Sequence, residues 1–439
     1  MASLRSLRSL RSLRSLRRPI DPGGHIRELD GLRLLAIATV VIAHIVPSVA
    51  RRHAEVTGRS LDTDVVRRLL SDGHRGVVLF FTISGFILAL PFARAAAGGP
   101  PVRLGAYFVR RLRRLEPPYL VSLVIFAVAQ TMLLDTALDD AAPHLLLGIP
   151  YLHNLVTGDP NPINSVTWSL EVEVQFYVVL PLLATALLTP RFARARPALV
   201  TGIVVMVAAQ LLPIAGDARW YRSLAGALPA FAVGMGFAHL FVRGRWAAAA
   251  PSPMADAATA AGLGVFVLLP LAGPPALHPL PLLVACACLL LGTLRGPRTR
   301  AALRRPWVWI IGGMCYTIYL VHLQVIRLLW RPVRELVGTV PGGFAGDLIL
   351  AFMVVVPAVA VASLAFYLAV ELPCMRWARR AGASPQAVTT VPRTMSQAAG
   401  AAPYSKCMPS VMTNPPPHTN PQRRKISTTR GSIAGVASP

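Results

Sequence analysis

Apolar residues fall along this chain in runs of about twenty, the length that carries an α-helix across a ~30 Å hydrocarbon core. Ten such runs predict helices at about 33–50, 76–92, 118–134, 169–188, 198–215, 224–242, 257–273, 278–294, 308–330 and 346–370. The seventh and eighth are short and interrupted by Pro270, Gly273, Pro274, Pro275, Pro279 and Pro281, a pattern for a helical hairpin or a broken re-entrant pair. The fold class is therefore an all-α polytopic membrane protein of about ten transmembrane helices.

The polar stretches orient those helices. With a cytoplasmic N-terminus, the inside loops hold Arg94, Arg103, Arg110, Arg111, Arg113 and Arg114, then Arg191, Arg194 and Arg196, then Arg243 and Arg245, then Arg295, Arg298, Arg300, Arg304 and Arg305. The outside loop at 135–167 has no Lys or Arg, nor has the 274–277 turn. Loop 51–75 departs from the rule with six arginines, partly balanced by Glu55, Asp62, Asp64 and Asp72. An even number of spans with both termini cytoplasmic fits the positive-inside bias best. The domain organisation is a basic low-complexity extension at 1–26, a membrane domain at 27–380, and a Pro-, Ser-, Thr- and Ala-rich tail at 381–439 expected to be disordered and cytoplasmic. In the extension, Ser-Leu-Arg repeats five times from Ser3 without an apolar segment long enough for a signal-peptide core.

Composition agrees. Of 439 residues, 54% are hydrophobic and 14% charged, against roughly 25% charged in soluble domains. The net charge of +25 would suit nucleic acid, but the basic residues sit in short clusters between apolar spans, so nucleic-acid binding is excluded and the partner is the bilayer. The two lysines, Lys406 and Lys425, lie in the tail, so nearly all the positive charge is Arg. Five cysteines, Cys286, Cys288, Cys315, Cys374 and Cys407, offer neither a disulfide framework nor a metal-ligand spacing, and no metal is expected.

Candidate chemistry starts in the first span. RELDGLRLLAIATVVIAH, Arg27 to His44, sets Arg27, Asp30 and Arg33 at the mouth of an apolar helix and an imidazole inside it. Eleven residues separate Arg33 from His44, ~16 Å at 1.5 Å per residue, about half the hydrocarbon core. An ionisable group at that depth is a functional candidate; the alternative is a His hydrated at the opposite interface. In GVVLFFTISGF (76–86), Ser84 and Gly85 read as a close helix-packing site ahead of a nucleophile. YFVRRLRRLEPPY (107–119) places four arginines in five positions, with Arg110 and Arg114 one turn apart on a helix. The positive-inside bias explains that cluster, and its density also suits a polyanionic cytoplasmic ligand. In WSLEVEVQFY (168–177), Glu171 and Glu173 diverge by about 200° on a helix, so only one can face a shared cavity, and Glu173 with Phe176 and Tyr177 is the inward face. The alternative is an acidic pair favoured by the helix dipole. Tyr316, Tyr319 and His322 share about a turn and a half of the ninth span, with His322 read as support, and Glu371 and Arg376 close the tenth.

In order and spacing, RELDGLR with His44, GVVLFFTISGF, RRLRRLEPPY, WSLEVEVQFY, CYTIYLVH and Glu371-x-Pro373 with Arg376 resemble the integral-membrane acyltransferase-3 family of O-acyltransferases across about residues 27–376. The resemblance implies a ten-helix core in a bacterial cytoplasmic membrane, a cytoplasmic acyl-CoA donor (acetyl-CoA in the first instance) and a carbohydrate-like hydroxyl acceptor. It carries Arg33 and His44 onto the family's Arg and His pair, Arg110, Arg111 and Arg114 onto its basic motif, and Glu173 onto the acidic position of its Trp-Ser-Leu motif. Val78, Glu171 and Cys315 depart from its usual Asp, small residue and Ser. The expected activity is acyl-CoA-dependent O-acylation of a glycan, lipid-linked sugar or glycosylated metabolite. His44 would be the base and Glu173 its orienting acid, with Arg33, Arg110, Arg111 and Arg114 on the donor phosphates. The rival expectation is a secondary transporter of an anionic or sugar substrate.

Overall fold

A computed structural model describes residues 26–133, 138–188, 196–209, 218–243, 250–273 and 277–382. Nearly all of the expected N-terminal extension and C-terminal tail lies outside the described residues. Among those described the structure is helical, without a strand. The principal helices are α1 (Arg27–Thr57), α2 (His74–Ala96), α3 (Leu104–Leu133), α4 (Trp168–Leu188), α5 (Arg196–Ala209), α6 (Leu224–Val242), α7 (Pro253–Leu268), α8 (Pro279–Arg295), α9 (Cys315–Leu336), α10 (Gly343–Phe366) and α11 (Leu372–Gly382). Short helices lie between them and are named by range.

Among the described residues, seven helices are long and apolar enough to cross a membrane. The count reaches nine if two bent pairs each make one span: α8 with Pro297–Leu303, bent by 87°, and Pro306–Gly313 with α9, bent by 68°. The fifth expected span corresponds to α5, described over 14 residues, with 210–217 outside the described residues. Of the two weak runs, the seventh forms α7 and closes with a 3-10 turn at Leu269–Leu271, where Pro270 ends the α-helical pattern. The eighth forms α8, which Pro279 starts without cost because a first-turn N–H has no helical partner.

The core is built around α1 and α2. Two glycines let α2 and α6 touch backbone to backbone: a Cβ on Gly85 would strike the carbonyl of Phe231, and one on Gly234 would strike the carbonyl of Thr82. The aromatic faces around this crossing stack, with Phe176 and Phe231 at 3.8 Å between centroids and 11° between planes. The packing role expected of Gly85 is the one it has.

The polar residues at the head of α1 each hold one element. Arg27 lies over the Trp309 ring at 5.3 Å, Glu28 pairs with Arg300 at 3.0 Å and Arg304 at 2.8 Å, and Asp30 pairs with Arg33 at 2.5 Å. Gly31 lies against the carbonyl of Leu303 and Gly312 against that of Asp30. Both bent pairs are thereby clamped to α1. At the other end of α1, His53 Nδ1 meets Asp347 Oδ2 of α10 at 2.5 Å, and Asp347 Oδ1 accepts the Gly338 N–H at 2.8 Å.

Three levels of contact fix the direction of α9 against α1. Arg33 and Cys315 line the same cavity, His44 meets His322, and Arg52 Nε donates to the carbonyl of Arg334 at 3.2 Å. The two helices therefore run parallel.

Candidate active site

Helices α1, α2, α3, α4 and α9 surround an open cavity with about 720 Å³ of empty space, the solvent at its mouth included. Arg33 enters from α1, Arg111 and Arg114 from α3, and Ser84 from α2. From α4 come Ser169, Glu173 and Tyr177, and from α9 Cys315, Tyr316 and Tyr319. Phe80, Phe81, Leu115 and Leu170 complete the wall.

Three guanidinium groups face one lining carboxylate, so the cavity favours an anion. Arg33 is held by Asp30, whose carboxylate is buried behind it. On α3, Arg111 and Arg114, three apart, both reach the cavity, whereas Arg110 is exposed and Arg113 turns its guanidinium over Trp377 at 5.7 Å. Of the sequence-derived arginines the structure brings Arg33, Arg111 and Arg114 together and leaves Arg110 outside.

The two carboxylates of α4 part as their spacing requires. Glu173 faces the cavity and accepts the Ser84 hydroxyl at 2.7 Å. Glu171 is wholly buried on the other side, where Oε2 accepts the Asn154 backbone N–H at 2.7 Å and ties the 153–157 helix to α4. Ser84, expected to serve packing alone, is thus also a polar group of the cavity.

His44 has a different partner from the one expected. Its Nδ1 lies 2.8 Å from the Val40 carbonyl and 3.4 Å from Nε2 of His322, and the two rings meet edge to face at 5.0 Å and 65°. Glu173 is bonded to Ser84, and the partners of His44 are the Val40 carbonyl and a second imidazole. His322 is wholly buried, and its Nδ1 lies 3.0 Å from the Ile318 carbonyl and 2.8 Å from that of Tyr319. The Tyr319 ring, a wall of the cavity, stands 5.9 Å from the His322 ring, so the imidazole pair lies just behind that wall. The Tyr319 hydroxyl is fixed by the Val166 carbonyl at 2.6 Å and by Ser169 at 2.7 Å.

Sequence reasoning passed over His322 as a partner, and Ser169 and Tyr319 as cavity groups. A signal existed: His322, like His44, is an imidazole well inside an apolar run. Glu371, expected to close the last span, is buried and accepts a hydrogen bond from Thr317 at a π-helical turn, Tyr367–Glu371, joining α10 to α11. No group of three or more His, Cys, Asp or Glu able to hold a metal occurs among the described residues.

A bundle of apolar helices around a cation-rich cavity, with an imidazole pair at its wall, defines a multi-pass membrane protein with an internal polar site. The chain belongs to the acyltransferase-3 family, described as an acyltransferase domain, which it matches over residues 26–370. It is 27% identical over 175 residues to a candidate O-acetyltransferase of Staphylococcus aureus, covering 38% of this chain and 26% of that one. It is 28% identical over 201 residues to a candidate peptidoglycan O-acetyltransferase of Bacillus subtilis, covering 43% and 28%. A peptidoglycan O-acetyltransferase of Listeria monocytogenes is 24% identical over 168 residues, covering 36% and 24%. The alignments thus span about a quarter of the length of these relatives. No solved structure matches the chain.

Proposed function

We propose that the protein is an acyl-CoA-dependent O-acyltransferase that moves an acyl group, acetyl in the first instance, onto a hydroxyl of a carbohydrate, a cell-surface glycan or a glycosylated metabolite. The observation that carries this reading is the layout of α1, which holds one arginine of the cation-rich cavity at its head and, eleven residues along, an imidazole beside the cavity wall. Family membership supports the reaction class, and the peptidoglycan O-acetyltransferase names of two relatives support a glycan acceptor.

Arg33, Arg111 and Arg114 would take the phosphates of CoA, since a guanidinium fork matches phosphate oxygens two at a time. The carbonyl of Val40 can only accept, so His44 Nδ1 carries the hydrogen and the lone pair lies on Nε2 when the ring is neutral. As the acceptor oxygen attacks the thioester carbon, its proton passes to Nε2; the C–S bond breaks, and the imidazolium returns the proton to the CoA sulfur. A neutral imidazole can take a proton and return it, which suits both transfers. Ten spans with both termini cytoplasmic would put the arginines on the cytoplasmic side with the donor.

The test needs no knowledge of the acceptor. Purified protein in detergent given acetyl-CoA should release free CoA by slow transfer to water, and His44→Ala should lower kcat by roughly 10²–10⁴ while the donor KM stays near wild type. The bent pairs at 87° and 68° favour a second reading, a secondary transporter of an anionic or sugar substrate. CoA that neither binds nor turns over with any acyl chain, together with a solute gradient dissipated in vesicles, would establish the transporter instead.

A further inference from the structure

We propose that His322 is the positioning residue for His44, a neutral imidazole holding the base where a hydrolytic triad would use a carboxylate. The inference rests on the reading of His44 as the base and adds what sets its tautomer and direction.

The hydrogen positions follow from the partners. His322 Nδ1 faces two backbone carbonyls, Ile318 at 3.0 Å and Tyr319 at 2.8 Å, which accept and never donate. Nδ1 therefore bears the hydrogen, and a neutral His322 presents a lone pair at Nε2. That lone pair points to His44 Nδ1 at 3.4 Å, whose hydrogen is already required by the Val40 carbonyl at 2.8 Å. One N–H is shared between a carbonyl and an imidazole nitrogen. The opposite tautomer of His44 would set its single Nδ1 lone pair against the lone pairs of the Val40 carbonyl and His322 Nε2 at once. A doubly protonated His322 would oppose two N–H groups, and the ring is wholly buried, where an unpaired charge is costly. The arrangement thus admits one protonation pattern, with Nε2 of His44 as the basic nitrogen.

The same contact acts during turnover. When Nε2 of His44 takes the acceptor's proton, the positive charge spreads to Nδ1–H, and the His322 lone pair accepts a stronger hydrogen bond from it. The stabilisation is specific to the charged intermediate, so it belongs in kcat. His322 in turn is fixed by its own helix and by Tyr319, whose hydroxyl is anchored on Val166 and Ser169.

The experiment compares two replacements of similar length in the full chain, read by CoA release from acetyl-CoA beside His44→Ala and by the thermal midpoint in detergent. His322→Met removes the acceptor and should lower kcat roughly ten- to a hundredfold, less than loss of the base because Val40 still holds the ring, with the donor KM within about twofold. His322→Gln can return an acceptor oxygen to the Nε2 position and should recover most of that loss. Met and Gln variants with the same kcat, or a loss confined to KM, would overturn the proposal. Should His322→Met fail to fold, a Gln variant with a wild-type midpoint and the kcat of His44→Ala would overturn it equally. Turnover that survives His44→Ala would instead remove the base reading itself, and with it the step that His322 is held to serve.

Discussion

Arg110 and Arg111 are neighbours in sequence and stand on different sides of the same helix. The cluster at 110–114 was legible as cationic, and its facing was not: with four arginines in five positions, no apolar pattern says which pair turns inward. Packing decides it, through Arg113 on Trp377 and Arg111 with Arg114 on the cavity. On the proposed function, Arg111→Ala and Arg114→Ala should each raise the donor KM roughly ten- to a hundredfold, the equivalent of about 1.5–3 kcal/mol for a lost charge-assisted contact. Arg110→Ala should change it by less than about twofold. Steady-state KM for acetyl-CoA measures all three, and an Arg110 effect as large as that of Arg111 would return the cluster to a bulk-charge role. The two glutamates of α4 were separable in sequence because i and i+2 point apart on any helix. The His44 partner was not, because its pairing crosses 278 residues and depends on α1 and α9 running side by side.

Helix bends arise from contacts that no local window contains. The run at 308–330 predicts one span, yet the structure breaks between Gly313 and Cys315, where Gly312 is pressed on the Asp30 carbonyl of α1. A break needs the partner helix as well as the glycine. The α2–α6 crossing was better marked, because Ser84-Gly85 in an apolar run is a small-residue interface whatever the partner. Gly85→Ala and Gly234→Ala should each lower stability by about 1–3 kcal/mol, since the new methyl meets backbone that cannot swing away. Gly236→Ala is the control, having nothing within 4 Å of its added Cβ. Thermal midpoints in detergent compare them, and a drop at Gly236 equal to that at Gly234 would discount the crossing.

At the scale of the whole molecule the arginine distribution predicts an orientation in the membrane, and contacts account for its main exception. Several arginines of loop 51–75 are spent on neighbours: Arg52 pairs with Glu55, Arg67 with Asp62 and Arg75 with Asp72, while Arg68 donates to the Pro270 carbonyl at 3.1 Å. Arg75 is buried and also donates to the carbonyls of Phe266 at 2.5 Å and Val267 at 3.0 Å, closing the end of α7. Such residues serve structure rather than orientation. A reporter fused after Gly158 should therefore read extracytoplasmic and one after Arg300 cytoplasmic, and both on one side would sink the arrangement. The apolar runs made the class of fold and most of its spans readable, because burial in lipid demands them. The number of crossings was less readable, because an 87° bend and a straight span share the same composition.

A helix that carries both an anchoring arginine and an imidazole is also a ruler. The ~16 Å from Arg33 to His44 is set by rise per residue alone and is the same whatever acyl group arrives. If phosphates are gripped at one end and the thioester meets the imidazole at the other, the pantetheine arm between them is gauged against a rigid rod. A longer acyl chain leaves that gauge unchanged, because the chain begins beyond the thioester. Tolerance for chain length is then governed by the space past His44, and preference for CoA over shorter thioesters by the rod itself, so the two selectivities can drift apart in evolution without disturbing each other.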